Sequence, residues 1–148
     1  MPTHAEKREM PYSAEQMFAL IADVPSYPEF LPWCAAAGGR SRTETDAVAV
    51  MDADLVIAFK LFRERFGSRV ELRPDLNEID VSYLDGPFKY LVNNWKFIPI
   101  DEDRCEVDFF VDFEFKSATM QMIIGVVFGE AMRMIVRAFE RRAKELYG

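Results

Sequence analysis

Apolar and polar residues alternate with a period of two through the middle of the chain, a pattern typical of half-buried β-strands. The alternation predicts six strands: Cys34–Glu44, Ala47–Phe59, Phe62–Leu72, Glu78–Tyr83, Tyr90–Pro99 and Cys105–Phe115. The segments between them are short and rich in Asp, Pro and Gly, which favours an antiparallel meander. In the last of these strands valine and phenylalanine share one face, and aspartate and glutamate share the other. One face of the sheet is therefore expected to be buried and the other wet.

The segment before the meander predicts an edge strand and two short helices. Thr3–Met10 alternates loosely and fits the strand. Ser13 and Gln16 have the spacing of a capping box, in which each side chain binds the other residue's backbone amide at the start of a helix. Pro25 is expected to end that helix, and Ser26 to cap a second short helix with a proline in its first turn.

Ser117–Tyr147 predicts one long helix, which would span about 45 Å at 1.5 Å per residue. Its first half, Met120–Gly129, is apolar around nearly the whole circumference, whereas a surface helix needs only one apolar stripe. We therefore expect contacts on two sides of this half. One side fits the sheet, and the other fits the N-terminal helices, an apolar ligand, a second subunit or a membrane. The order of elements predicts an α+β fold in which a curved sheet wraps around the helix.

The composition narrows the function. The 148 residues include 13 Phe and carry a net charge of −7, which indicates one domain over 1–148 and excludes DNA binding by phosphate neutralisation. The stretch 117–148 alone carries 5 basic and 3 acidic residues, so its basic end could rest on an anionic membrane surface. The N-terminus has no apolar signal segment. We expect a cytoplasmic protein, in peripheral contact with the inner membrane through this helix.

Few residues could support catalysis or metal binding. His4 is the only histidine and is expected to be solvated, and Cys34 and Cys105 are expected to be reduced thiols outside any metal motif. Glu64 and Asn93 share strand faces with large apolar residues. They are the candidate hydrogen-bonding groups in an otherwise apolar ligand cavity.

Several segments resemble the coenzyme Q-binding protein family. The matching segments are Tyr12–Phe18, Ala22–Val24, Tyr27–Cys34 (YPEFLPWC), Asp85–Phe88, Trp95–Phe97, Phe113–Ser117, Ala138–Ala143 and Leu146–Gly148. They span essentially the whole chain in the family's order. One departure is Phe66-Gly-Ser68, where the family would have a threonine in the middle.

The resemblance implies a START-like helix-grip fold: an antiparallel sheet of six to seven strands that grips the long C-terminal helix and leaves an apolar cavity. It also implies a non-enzymatic protein that binds ubiquinone or a polyprenylated precursor, needs no cofactor, and supports respiratory electron transfer and ubiquinone synthesis. Mitochondrial members would need an import signal, so we expect a bacterial protein. The candidate cavity residues are Phe30, Leu31, Trp33, Leu55, Phe59, Phe62, Glu64, Phe66, Asn93, Trp95, Phe97, Phe109, Phe113, Met120, Ile124 and Val127.

Two alternatives stay open at the level of sequence. Bacterial relatives of the same family are described as toxins that block ribosomal subunit association. An acidic protein would bind rRNA poorly unless a local basic patch acts, here Arg133–Lys144. The superfamily also contains cyclases and dehydrases. In an enzyme of that kind, Glu64 or Asn93 would polarise a substrate carbonyl.

Overall fold

The computed structural model describes residues 3–45, 47–59 and 62–148, with the side chains of Arg40, Phe59 and Phe62 outside that description. It contains one seven-stranded antiparallel sheet in the order β1-β7-β6-β5-β4-β3-β2. The strands are β1 Thr3–Met10, β2 Cys34–Glu44, β3 Ala49–Phe59, β4 Phe62–Arg73, β5 Glu78–Asp85, β6 Phe88–Pro99 and β7 Cys105–Phe115. The helices are α1 Ala14–Ala22 and α2 Ala118–Tyr147, with 3₁₀ helices at Val24–Glu29 and Pro74–Leu76. The predicted meander and edge strand are confirmed.

The turn between β5 and β6 is tighter than the sequence predicted. β5 extends to Asp85 and β6 begins at Phe88, so only Gly86 and Pro87 separate the strands. Gly86 has a φ of 136°, a backbone conformation that residues with a side chain rarely adopt. A Cβ atom at this position would lie 2.6 Å from Cβ of Phe66. Only glycine therefore lets the turn pack against β4.

The start of α1 follows the prediction, whereas the segment after it does not. The Ser13 hydroxyl accepts a hydrogen bond from the Gln16 amide at 3.1 Å, and the Gln16 side chain accepts one from the Ser13 amide at 2.9 Å. The next helix is a 3₁₀ helix that begins at Val24, so the prediction of Ser26 as its cap is wrong. Because the fixed φ of Pro25 suits a first helical turn, the helix starts one turn earlier. Ser26 instead donates to Asp23.

The two halves of α2 have different environments. In the second half Ala131, Met132, Ala138, Phe139 and Ala143 are buried, and Phe139 contacts Trp95 of β6 and Tyr27 of the first 3₁₀ helix. The first half lies over the inner face of the sheet without filling the space beneath it. Inward residues of β3 to β7 meet around that space, so the sheet is concave there.

Candidate functional site: a cavity between the sheet and the long helix

A cavity of about 300 Å³ lies between the concave face of the sheet and the first half of α2. This volume is at the lower end of the range for small-molecule pockets. The sheet contributes Leu55, Ile57, Phe66, Ser68, Val70, Ile79, Val81, Phe88, Leu91, Asn93, Trp95, Phe109, Val111, Phe113 and Phe115. Helix α2 contributes Met120, Ile124, Val127, Ala131, Met132, Ile135 and Phe139. The remaining wall consists of Ile21, Val24, Tyr27, Leu31, Pro32, Trp33 and Cys34.

The described wall of the cavity contains no acidic residue, basic residue or histidine. Its two titratable groups are both held in the neutral form. Burial raises the pKa of Tyr27, whose hydroxyl donates to the carbonyl of Ile21 at 2.5 Å. Burial also raises the pKa of the Cys34 thiol, which is half-buried and in no disulfide. The cavity is therefore uncharged near neutral pH, a property that suits an uncharged apolar ligand.

Asn93 supplies a fixed polar group on the β6 part of the wall, as the sequence predicted. Its Nδ2 donates to the carbonyl of Phe110 at 2.9 Å, and its Oδ1 accepts from Nε1 of Trp95 at 2.9 Å. These two bonds define which side of the amide is oxygen and which is nitrogen. Asn93 is thus a preorganised group rather than a mobile one.

Ser68 is the polar wall residue that sequence reasoning missed. It is 2% exposed and the one buried polar or charged residue among those that the structure describes. The signal was present, because Phe66, Ser68 and Val70 alternate on the inward face of β4. The register shift between Gly67 and Ser68 marks a bulge at this point of the sheet.

Eleven of the predicted cavity residues lie on the wall: Leu31, Trp33, Leu55, Phe66, Asn93, Trp95, Phe109, Phe113, Met120, Ile124 and Val127. Phe59 and Phe62 were also predicted, but their side chains lie outside the described part of the structure. The role of the eleven in binding a ligand stays a prediction.

Two predicted aromatic residues pack elsewhere. Phe97 is 1% exposed and its ring lies 6.0 Å from that of Phe18, so it belongs to the core beneath α1 and not to the cavity wall. Phe30 packs edge-on against Phe139 at 5.4 Å, and the guanidinium of Arg142 covers it at 5.2 Å. Periodicity could not separate Phe97 from the wall residues of β6, because core and cavity share the same inward face of the sheet.

Glu64 lies outside the cavity, contrary to prediction. It has the same strand parity as Phe66 and Ser68, but its side chain is exposed near the β3–β4 turn. A carboxylate in contact with water avoids the large cost of burial in an apolar space. Alternation fixed the face of the strand correctly but not the point at which that face leaves the interior.

His4 is not the solvated residue that the sequence predicted. Its Nε2 lies 3.1 Å from Oε1 of Glu6, and its ring lies 5.9 Å from Phe109 and 6.3 Å from Phe128. Glu6 also pairs with Arg8, which in turn pairs with Glu140 of α2. This polar chain connects β1 to α2 behind the cavity.

The outer side of the first half of α2 is apolar and exposed. Met122 is 71% exposed and Val126 is 84% exposed, and Ile123 lies between them. Burial by the N-terminal helices, one of the alternatives from sequence, is therefore wrong for this side. Within the described ranges, no helix combines the length and apolar character needed to cross a membrane.

A concave antiparallel sheet that grips a long C-terminal helix around an apolar cavity defines the START-like helix-grip class. Residues 10–140 match the model of the polyketide cyclase / dehydrase and lipid transport family, so the chain belongs to that family.

Relatives that are similar to this chain are named for different functions. The chain is 40% identical over 137 residues to the ribosome association toxin RatA of Vibrio cholerae, covering 93% of this chain and 92% of the relative. It is 34% identical over 149 residues to the mitochondrial coenzyme Q-binding protein COQ10 homolog B of Xenopus laevis, covering 98% of this chain and 59% of the relative. The solution structure of the 18 kDa protein CC1736 from Caulobacter crescentus superposes with a TM-score of 0.82 at 36% identity, covering 100% and 99% of the two chains.

Proposed function

We propose that the protein binds ubiquinone or a polyprenylated precursor of it in the cavity, as a carrier or helper rather than as an enzyme. The observation that carries the proposal is the uncharged, almost wholly apolar wall around about 300 Å³ of space. Each methylene group that leaves water for such a space contributes about 0.8 kcal/mol. Phenylalanine and methionine side chains on the wall can repack around a flexible isoprenoid tail.

The resemblance to coenzyme Q-binding proteins supports this choice among apolar ligands. One relative is itself named a coenzyme Q-binding protein. A role of that kind would support respiratory electron transfer and ubiquinone synthesis. The cavity lies at the small end of ligand pockets, so it suits a ring and the first part of a tail better than a complete long chain.

The exposed outer side of α2 supports peripheral contact with the inner membrane. Met122, Ile123 and Val126 face away from the cavity, while Met120, Ile124 and Val127 of the same helical turns face into it. An amphipathic helix with exposed apolar residues and a basic neighbouring segment binds anionic lipid surfaces. Such contact would bring the cavity close to the phase in which polyprenyl lipids dissolve.

The wall also supports a role without catalysis. General acid–base work needs a group whose pKa lies near the working pH. The titratable wall groups, Tyr27 and Cys34, both have raised pKa values and stay protonated. Glu64, the acid that a cyclase or dehydrase mechanism would need here, is exposed outside the cavity.

A ribosome-directed role is the second candidate, favoured by the relatives named ribosome association toxin. The basic second half of α2 would be the contact surface. Two of its arginines already have acidic neighbours, since Arg133 pairs with Glu130 and Arg142 with Glu29. This pairing reduces the charge available to neutralise phosphates.

Mass spectrometry of lipid extracted from purified protein tests the first proposal. We expect a quinone or a polyprenylated precursor in the extract, and added ubiquinone should change the fluorescence of Trp33 and Trp95 on the wall. An extract without such lipid, together with unchanged fluorescence, would refute ubiquinone binding. Sedimentation with ribosomal subunits at low and moderate salt tests the second candidate, and no co-sedimentation at either salt would exclude it.

A further inference from the structure

Ser68 places an unpaired hydroxyl group on the cavity wall. None of the hydrogen bonds between residues that the structure describes involves its side chain, although the residue is 2% exposed. Every fully enclosed side-chain nitrogen or oxygen in the described part of the chain has a hydrogen-bond partner. The Ser68 oxygen must therefore retain contact with open space, and the open space beside it is the cavity.

An unpaired hydroxyl in an apolar interior is costly, because it loses its hydrogen bonds to water without replacement. Alanine would fill the same volume on β4 without that cost. A serine at this position is therefore better explained by a polar atom that enters the cavity than by packing.

Asn93 offers a second donor on the same wall. Its Nδ2 carries two hydrogens, and one of them is used by the carbonyl of Phe110. The bond from Trp95 to Oδ1 holds the amide in this orientation. β5 separates the two strands, because Val70 of β4 pairs with Val81 and Val81 pairs with Asn93. Ser68 lies two residues before Val70, so the two donors are separated by about 10 Å across the sheet and about 7 Å along it.

The strand register places Ser68 deep in the cavity. Ser68 pairs with Ala53 of β3, four residues before Ile57 on that strand. At 3.3 Å per residue this is about 13 Å along the strand. Ile57 is half-buried beside the loop of Trp33, whose carbonyl accepts from the Ala58 amide at 2.8 Å. The Ser68 hydroxyl therefore lies about 13 Å further along the sheet than the half-buried rim of the cavity at Trp33.

We propose that Ser68 and Asn93 donate hydrogen bonds to the oxygen-bearing head of a neutral lipid, whose apolar tail extends toward the rim at Trp33. This inference rests on the proposed function and adds the residues that recognise the head. Carbonyl and ether oxygens accept from such donors. A carboxylate or phosphate head would lack a cationic partner on this wall.

The test compares ubiquinone with a two-isoprene tail against the isoprenoid hydrocarbon that corresponds to that tail. Ser68→Ala should weaken quinone binding by about 3- to 10-fold, the worth of one hydrogen bond, and leave hydrocarbon binding unchanged. Ser82→Ala, on the exposed face of β5, is the matched control and should change neither. The thermal midpoint of the ligand-free Ser68→Ala protein should not fall, because the substitution removes an unpaired hydroxyl.

Infrared spectroscopy gives a readout that does not depend on affinity. The carbonyl band of quinone bound to the unsubstituted protein should lie below that of quinone in alkane solvent, and should move back toward it in Ser68→Ala. Quinone binding that is equal in both proteins, or an unshifted band, would overturn the role of Ser68 while the proposed function stands. If the unsubstituted protein binds neither probe, the proposed function itself fails, and this inference fails with it.

Discussion

The indole Nε1 of Trp95 donates a hydrogen bond to Oδ1 of Asn93 over 2.9 Å, on the inner face of β6. The two residues are two positions apart on the strand, so both side chains point to the same face, toward α2. The ring centre of Trp95 also lies 4.5 Å from that of Phe109, with the rings tilted, and 5.5 Å from that of Phe139 of α2, which it meets edge-on. The asparagine therefore orients the ring that joins sheet, helix and cavity.

Asn93→Leu should lower the free energy of unfolding by about 1–3 kcal/mol, because the indole N–H of Trp95 loses its acceptor in an apolar setting. Urea unfolding followed by circular dichroism measures this loss. Asn94→Leu is the control, since the Asn94 amide donates to Asp80 on the other face of the sheet. If Asn94→Leu lowers the free energy of unfolding as much as Asn93→Leu does, the hydrogen bond between Trp95 and Asn93 does not contribute more to stability than an outer one.

The sequence predicted the sheet and the long helix well because each strand shows one wet face and one dry face. β7 follows this rule at every position, with buried and half-buried residues in strict alternation. The same rule could not show where the dry face opens into a cavity, and so Phe97 and Phe109 looked equivalent. The helix that covers each residue separates them, because Phe18 of α1 packs on Phe97 whereas Phe109 faces the open space beneath α2.

The misplacement of Glu64 and the omission of Ser68 have a common cause. Both residues have the inward parity of β4, but one lies near the turn and the other lies at the bulge in the middle of the strand. The charge of Glu64 contrasts with its apolar neighbours and so predicted a site residue, whereas the small hydroxyl of Ser68 gives no such contrast. The depth of a position along a curved strand is a tertiary property, which local alternation does not encode.

Cys105 should make the stability of the protein fall at alkaline pH. Burial, with a smaller contribution from the charge of Glu15, raises the pKa of its thiol to about 11. An acid whose pKa is higher in the folded state keeps its proton there while the unfolded chain loses it. The stabilising effect is therefore complete below the ordinary thiol pKa of 9.0 and is lost as pH rises toward about 11.

Unfolding by urea at a series of pH values from about 7.5 to 11 measures this effect. Cys105→Ala should show a shallower decline than the unsubstituted protein over the upper part of this range. Subtracting the two curves cancels the titration of tyrosines and lysines common to both. Parallel curves would contradict the assignment of the decline to Cys105.

Val126→Asp should remove binding to anionic vesicles and leave the fold intact. The side chain is 84% exposed, so its substitution should change the free energy of unfolding by no more than about 0.5 kcal/mol. An aspartate on this side of α2 would both lose apolar contact with lipid and repel the anionic surface. Co-sedimentation with vesicles that contain anionic lipid measures the loss.

Leu76→Asp is the matched control for this prediction. Leu76 is also an exposed aliphatic residue, but it lies in the 3₁₀ helix between β4 and β5. The substitution Leu76→Asp should therefore leave vesicle binding unchanged. Equal losses in the two variants would point to net charge rather than to the outer side of α2, and equal retention would exclude this side as the membrane contact.

Two alanines on α2 distinguish open space from packed core. Ala131 lies on the cavity wall, whereas Ala138 is 1% exposed and lies outside that wall. Ala131→Leu adds a side chain to empty space, so it should leave stability unchanged or higher and should compete with a bound lipid. Ala138→Leu adds the same side chain where neighbours already fill the volume, and should cost about 1–3 kcal/mol. Thermal unfolding of both variants, with ubiquinone titration of the stable one, tests the pair. Equal destabilisation by the two substitutions would show that the space beneath Ala131 does not accept a ligand-sized group.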